Sequence, residues 1–272
     1  MKHLPFLILF FTSLFTQAQD TYFDITYTSL SMTYHSYGQP KQHFTTLYVQ
    51  GDKSLYQWEA QRKLDSIAKH REIENEDLGR YFSIEEYAIE IENNTLKYYD
   101  VIGDVEYQYE ETLSYKWDFK PETKTIKGYK CKRATVTYGG RDWEAWYAID
   151  IPINAGPYKF KGLPGLIIKI TDSTYSYDFE LFSLKEVENL PLKKGFHHSK
   201  ENNRIKTNRN KYNKTRFAYN SLSFSERMAV INKQNGDNTT LEFTNMDGSN
   251  PFSGTRSIDE SKNNNFIEID HD

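Results

Sequence analysis

The sequence predicts a mainly β protein, a curved antiparallel sheet or half-barrel of roughly ten strands with one or two short helices. Aromatic residues make up 15% of the chain, with 21 Tyr and 17 Phe, and this composition favours strands over helices. Apolar and polar residues alternate with a period of two in several segments, as on strands with one buried face. Turn signals such as Gly51-Asp52 and Gly139-Gly140 separate these segments.

The alternating segments and the turns between them predict three antiparallel hairpins. They join 43–50 to 54–58, 129–138 to 142–149, and 166–171 to 175–184. Residues 105–110 and 112–119 alternate in the same way and are also predicted strands. The first strand changes phase, since Ile25 and Tyr27 are odd-numbered but Leu30 is even-numbered. We therefore expect a β-bulge near Thr28-Ser29.

Helical patterns are few. Residues 59–76 carry scattered apolar residues among charges, which is typical of a short surface helix. The sequence Ser223-Phe224-Ser225-Glu226 has the spacing of a capping box and predicts a helix over about 224–233.

The N-terminus has the three parts of a Sec-type signal peptide. Lys2 provides positive charge, an apolar run follows from Leu4 to Phe15, and Ala18 marks the expected cleavage position. The run is too short to span a bilayer, and no second long apolar run follows. We expect residues 1–18 to be the signal and 19–272 one exported β domain without a stable membrane span, in the periplasm or outside the cell. The domain becomes polar and loop-rich from about residue 190.

Composition excludes several classes of site. The single cysteine, Cys131, excludes an intramolecular disulfide and a Cys-rich zinc site. A net charge of −4 does not indicate a nucleic-acid partner. Residues 193–216 contain nine basic residues, which form either a patch for an anionic surface or a solvated insertion. We favour the insertion, because few aromatic residues are interleaved with the bases.

The densest motifs lie between residues 126 and 171. They include Gly128-Tyr129-Lys130-Cys131-Lys132, a Trp-x-x-Trp-Tyr at 143–147, Asp150-Ile151-Pro152-Ile153, Gly156-Pro157 and Gly162-Leu163-Pro164-Gly165-Leu166-Ile167. Pro and Gly fix the backbone of 152–165, which predicts an ordered Ω-like loop between two strands. In these motifs and their order the chain resembles the GLPGLI family of exported Bacteroidetes proteins. Near the C-terminus, Asn265-Phe266-Ile267-Glu268 is similar to that family's closing Asn-Pro-Ile-Glu. The resemblance implies export and fold class and brings no established activity.

No strong catalytic constellation is present, so we predict no catalytic residue and no cofactor, and we lean against an enzyme. No phosphate-binding Gly-rich loop, Gly-x-Ser-x-Gly elbow or metal-binding His spacing occurs. Cys131 fits a small residue packed in the sheet better than a nucleophile. A carboxylate-dependent hydrolase using Asp142, Glu144 or Asp150 remains an alternative.

The candidate ligand-binding residues are aromatic or adjoin the aromatic strand, and they are Trp117, Arg141, Trp143, Trp146, Tyr147 and Leu163. They could line an apolar cavity with Arg141 at its mouth, or they could be ordinary core. The leading hypothesis is a non-enzymatic envelope protein that binds an acyl chain or peptide on the concave face of the sheet. The half-barrel of periplasmic lipoprotein carriers is the analogous fold. The alternative is an interaction partner of an outer-membrane transport or secretion system.

Overall fold

A computed structural model describes residues 21–31, 41–58, 87–103, 105–188, 204–222, 226–227, 229 and 267–268. These residues form one mainly β unit with a single short helix, which confirms the predicted fold class. The strands are β1 (Tyr22–Ser31), β2 (Lys41–Gln50), β3 (Lys53–Trp58), β4 (Ala88–Glu92), β5 (Thr95–Ile102), β6 (Val105–Thr112), β7 (Asp118–Ile126), β8 (Tyr129–Tyr138), β9 (Arg141–Ala148), β10 (Leu166–Asp172), β11 (Tyr177–Val187) and β12 (Ile205–Thr207). The helix, α1, spans Arg209–Asn220.

All twelve strands belong to one sheet in the order β12-β6-β5-β4-β3-β2-β1-β11-β10-β9-β8-β7. Every neighbouring pair is antiparallel except β12 and β6, which are parallel. The three predicted hairpins are confirmed as β2–β3, β8–β9 and β10–β11. Within the described residues, no helix is long and apolar enough to cross a membrane.

The sheet is open but strongly curled. Thr112 ends β6 and Asp118 begins β7, so six residue steps span at most about 21 Å. In a flat sheet the ten inter-strand spacings from β6 to β7 would separate them by about 48 Å. The Tyr138 hydroxyl of β8 also donates to Glu111 of β6 at 3.2 Å. The two ends of the sheet therefore approach each other and form a half-barrel with a seam between β6 and β8.

A loop from residue 149 to 165 fills the interior of the half-barrel. Its backbone is ordered, since Ile167 donates to the carbonyl of Ala155 at 3.1 Å and Leu166 to that of Ile151 at 3.0 Å. A Cβ at Gly165 would lie 2.1 Å from the Ala148 carbonyl oxygen, so only glycine fits there. The structure thus confirms the ordered loop, and its side chains are mostly buried.

The segment 113–117 is not a strand, although its alternation predicted one. These residues connect β6 to β7 across the seam without joining a ladder. Leu113, Tyr115 and Trp117 still pack against the core, which explains the period-two pattern. Phe119, the next residue of that pattern, is exposed on the edge strand β7.

The expected bulge is displaced from its predicted position. The β1–β11 register shifts between Thr26 and Tyr27, and the extra residue is Phe182 of β11. Ile25, Tyr27 and Ser29 are all buried, so β1 keeps its phase through Thr28-Ser29. A bulge is therefore present close to the predicted place, but the face of β1 does not flip because the extra residue lies in the partner strand.

The basic segment 193–216 contains β12 and most of α1, so the expected solvated insertion is partly wrong. Asn208 caps α1 by accepting from the Lys211 backbone N–H at 3.0 Å. The predicted helix at 59–76, most of 224–233, and the signal peptide at 1–18 lie outside the described residues.

Candidate functional site

The most unusual side chain of the loop is Lys159, which is fully buried inside the half-barrel. Its ammonium lies 2.7 Å from the Tyr109 hydroxyl, 2.9 Å from Glu111 and 2.5 Å from Glu268. The preceding residue, Tyr158, has a φ of 57°, which is uncommon for a bulky non-glycine residue. Strained backbone of this kind persists only where surrounding contacts hold it. Here those contacts position Lys159 at the seam.

Four tyrosine rings surround the Lys159 ammonium. The distances from Nζ to the ring centroids lie between 5.1 and 5.8 Å for Tyr98, Tyr109, Tyr138 and Tyr158. At these distances the negative ring faces attract the cation. Burial raises the pKa of each of these tyrosines well above its usual value, so their hydroxyls stay protonated.

Glu268 comes from the C-terminal part of the chain and supplies the main countercharge. It accepts from the Tyr158 hydroxyl at 2.6 Å and from Arg209 of α1 at 2.6 Å, in addition to Lys159. Burial alone would raise the pKa of Glu268, but Lys159 and Arg209 lower it to about 2. The carboxylate is therefore ionised at neutral pH, and it attaches the terminal segment to the loop and the helix.

One face of α1 completes the site. Arg209, Tyr212, Asn213 and Arg216 have the i, i+3, i+4, i+7 spacing of a single helix face. Tyr212 and Arg216 both donate to Asp100 of β5, whose carboxyl is buried. Burial raises the pKa of Asp100, although Arg216 opposes this shift. The helix is thus held to the sheet by polar contacts.

A cleft of about 40 Å³ lies between α1, the tyrosine-rich strands β5 and β6, the loop and the terminal segment. We call it the tyrosine cleft, and it is lined by Tyr98, Tyr109, Tyr158, Tyr212, Asn213, Arg216, Ile267 and Glu268. Among these, Asn213 is 8% exposed and its Nδ2 group has no hydrogen-bond partner. Buried polar groups are nearly always paired, so an unpartnered donor on a residue that lines the cleft is unusual.

Three of the residues predicted from sequence, Trp117, Trp143 and Leu163, gather around Phe160 in the core. The ring of Trp143 is tilted by 59° against that of Phe160 with 4.7 Å between centroids, and the Trp117 ring lies 6.4 Å from that of Phe160. The indole N–H groups donate to backbone carbonyls of Tyr138 and Lys161, each at 2.9 Å. Leu163 is 1% exposed in the same core. The loop itself occupies the concave space that these residues were expected to line.

The other three predicted residues lie elsewhere. Arg141 is buried and pairs with Asp172 at 2.9 Å, where it braces the β10–β11 turn. Tyr147 packs near Phe119, with 6.3 Å between the centroids. Trp146, three residues from Trp143, takes the opposite face of the sheet. None of the six predicted residues lines the tyrosine cleft.

Trp146 belongs to a set of charged and aromatic contacts on the outer face of the sheet. Its indole N–H donates to Glu144 at 2.7 Å, and Lys124 lies 3.9 Å above its ring. Glu144 also pairs with Arg133 at 2.8 Å. These contacts cover the indole and leave it 8% exposed.

The acids of the hydrolase alternative lie away from the cleft. Asp142 is exposed and accepts from Thr137 at 2.6 Å, and Asp150 is exposed in the turn after β9. Glu144 pairs with Arg133 on the outer face. Burial raises the pKa of the Cys131 thiol, in keeping with a packed residue rather than a nucleophile. Among the described residues, no three His, Cys, Asp or Glu side chains come together as a metal site.

Sequence reasoning missed the tyrosine cleft because its parts are far apart in the chain. Lys159 sits between motifs without belonging to one, and Asp100, Asn213 and Glu268 come from three further segments. One usable signal was present. The spacing of Arg209, Tyr212, Asn213 and Arg216 marks a polar helix face, which apolar periodicity does not reveal.

Comparison with known proteins gives a family match without a function. A family profile described as "Protein of unknown function (Porph_ging)" matches residues 140–169, which cover β9, the loop and the start of β10. Comparison with curated protein sequences gave no match.

Solved structures with a similar fold include PNGF-II in two crystal forms, P21 and C2. Each aligns with a TM-score of 0.51 over 74% of this chain, at 16% and 17% identity respectively. The aligned region covers 34% and 33% of those chains, so this chain spans about a third of the length of these neighbours. At this identity the likeness shows that the curled sheet occurs as part of a larger protein, and it is a likeness of fold alone.

Proposed function

We propose that this protein is an exported, non-enzymatic binding protein of the cell envelope that holds the end of an apolar ligand, an acyl chain or a peptide, in its half-barrel. The observation that carries the proposal is the tyrosine cleft. It is a small aromatic-walled space at the seam of a curled sheet, one of its lining residues carries an unpartnered donor, and residues 267–268 form one of its walls. Ligand pockets combine apolar walls with a few placed polar groups in this way.

Residues 267–268 give one wall of the cleft both an apolar and a charged side chain. Ile267 contributes an apolar side chain, and Glu268 is held by contacts with Lys159, Tyr158 and Arg209. The cleft admits a group of a few heavy atoms as it stands, since one water needs about 10–15 Å³. A ligand would therefore insert one end and leave the rest outside.

Export and family membership are part of the same proposal. The signal-peptide pattern of residues 1–18 supports secretion to the periplasm or beyond. The Gly162–Ile167 signature supports membership of the GLPGLI family, and it falls inside the matched stretch 140–169.

Analysis of copurifying molecules tests the proposal. The full chain, purified from envelope extracts, is examined by native mass spectrometry and by extraction of lipids and peptides. We expect a bound compound in the wild type and its loss in Ile267→Trp, because the larger side chain fills the cleft. Ile205→Trp is the matched control, since Ile205 is exposed on β12 and should retain the compound. A wild-type protein that carries no more than an unrelated exported protein would contradict the proposal.

The alternative proposal, an interaction partner of an outer-membrane transport or secretion system, places the contact on the loop. Leu163 and Leu166 are fully buried, so they stabilise the fold instead of meeting a partner. The exposed loop positions are Ile149, Asp150, Pro152, Asn154, Gly162 and Pro164. Loss of a copurifying protein in Asn154→Lys would favour this alternative, which ranks second because most of the loop faces inward.

A further inference from the structure

We infer that the tyrosine cleft recognises a neutral carbonyl oxygen carried on a small apolar group. This inference rests on the proposed binding function and names the chemistry of the ligand end that enters. The same carbonyl chemistry occurs in the amide of a peptide and in the ester of an acyl chain.

The first argument is the supply of hydrogen-bond donors. Asn213 lines the cleft, and its buried Nδ2 group has no acceptor. Tyr109 lines the same cleft, and its hydroxyl oxygen accepts from Lys159 at 2.7 Å. A hydroxyl that accepts from an ammonium must turn its own hydrogen away from it, so Tyr109 offers a second donor. Two donors in one cleft call for an oxygen acceptor.

The second argument is the balance of charge. Three cations, Lys159, Arg209 and Arg216, face three carboxyl groups, Glu111, Glu268 and Asp100. These six charges already pair with one another. A charged ligand would therefore lose its hydration on entering the cleft and would find no countercharge to compensate for that loss. A neutral ligand avoids that penalty. The aromatic cage is likewise occupied, because Lys159 is its cation.

The third argument is the shape of the walls. Tyr98 and Tyr109 stack with 4.8 Å between ring centroids, and Tyr212 lies 5.3 and 5.2 Å from them. These rings, together with Ile267, offer apolar contact to a methyl or methylene group beside the donors. A carbonyl with a short alkyl substituent matches both the donors and the rings.

Asn213→Leu separates a ligand-binding role from a structural one. Leucine is close in size to asparagine and removes the unpartnered donor, so stability should be unchanged or higher. A residue needed for the fold would instead lose stability on this change. Asn210→Leu is the matched control, because Asn210 is exposed on the same helix.

The experiment follows the Asn213 side-chain amide by NMR in the full chain during titration with three probes of similar size: N-methylacetamide, methyl acetate and isopropylammonium. We expect the carbonyl probes to shift that resonance with about millimolar affinity. Asn213→Leu should weaken their binding about three- to tenfold, and Asn210→Leu should not change it. Binding of the amide alone indicates a peptide source, and binding of the ester alone an acyl source.

Three outcomes would overturn the inference. The first is no shift with either carbonyl probe, which leaves water as the partner of Asn213. The others are preferential binding of isopropylammonium, and binding of the carbonyl probes by Asn213→Leu with the affinity of the wild type.

The proposed binding function fails separately. If carbonyl probes bind but no compound copurifies, the inference stands without the carrier function. If a compound copurifies and Asn213→Leu retains it, the carrier function stands and the inference is wrong.

Discussion

Lys159 and Phe160 are consecutive residues of one loop, yet they enter two different environments. Phe160 packs among the aromatic rings of Tyr115, Trp117 and Trp143. Lys159 enters a network of carboxylates and tyrosine hydroxyls at the seam of the half-barrel. One loop therefore fills an apolar core and closes a polar site.

The difference between the two environments lies in how each depends on its partners. Apolar packing is shared among many neighbours and tolerates changes that preserve volume. A buried charge depends on a few specific countercharges, and it becomes strongly unfavourable when one of them is lost. The comparison predicts that substitutions around Lys159 depend on pH, whereas those around Phe160 do not.

The largest expected effect is that of Lys159→Met. Removal of the ammonium leaves the buried Glu268 beside the partly buried Glu111 with Arg209 as the remaining nearby cation, and we expect a loss of about 4 kcal/mol in the free energy of unfolding. Chemical denaturation at pH 7 measures this loss. The double variant Lys159→Met with Glu268→Gln should recover part of it, because one of the two carboxylates that faced Lys159 is then neutral. Additive losses in the double variant would show that the two groups do not interact.

Phe160→Ala should reduce the free energy of unfolding by about 3 kcal/mol, because it leaves a cavity among the surrounding rings. The loss should be the same at pH 7 and pH 3, since no titratable group gains or loses a charged partner. Denaturation at both pH values tests this. A loss that shrinks at pH 3 would mean that the core and the polar site are coupled.

Acid should weaken the contribution of Glu268. Its pKa is about 2 in the folded protein and 4.5 as an ordinary glutamate, so its ionised form stabilises the fold above about pH 4.5. That contribution, on the order of 3 kcal/mol, disappears as the pH falls from about 4.5 to about 2. The difference in unfolding free energy between wild type and Glu268→Gln should narrow over this range. A constant difference would contradict the ionised contact with Lys159 and Arg209.

The smallest expected effect is on the outer face. Glu144 pairs with Arg133, but their side chains are 42% and 29% exposed, and solvent screens the attraction. Glu144→Gln should therefore change the free energy of unfolding by less than about 1 kcal/mol. A loss as large as that of Lys159→Met would show that the outer face also depends on paired charge.

Local patterns predicted the fold well where the partners are close in sequence. The turns at Gly51-Asp52 and Gly139-Gly140 lie between strands that pair directly, so alternation and turn chemistry were sufficient. The segment 113–117 shows the limit of this reasoning. Its alternating side chains reach the core from a connection across the seam. A period of two therefore indicates that one face of the segment is buried, and it does not show that the backbone pairs with another strand.

The candidate site was less predictable for a physical reason. Trp117, Trp143 and Leu163 attract attention in the sequence because they are large and apolar, and they form core around Phe160. Lys159 and Glu268 are 109 positions apart in the chain, and nothing local marks either as buried. Each can be buried only because the other is present, and a single sequence does not record that pairing.

The sequence by itself determined the class of structure: a mainly β domain with ordered hairpins, a Gly- and Pro-rich loop, and one cysteine packed in the sheet. These features follow from local backbone preferences and from the need to bury aromatic residues. The seam between β6 and β8, the burial of Lys159 and the tyrosine cleft were decided by tertiary structure alone. They depend on residues that meet only when the ends of a twelve-stranded sheet approach each other, and that approach is set by the packing of the whole interior.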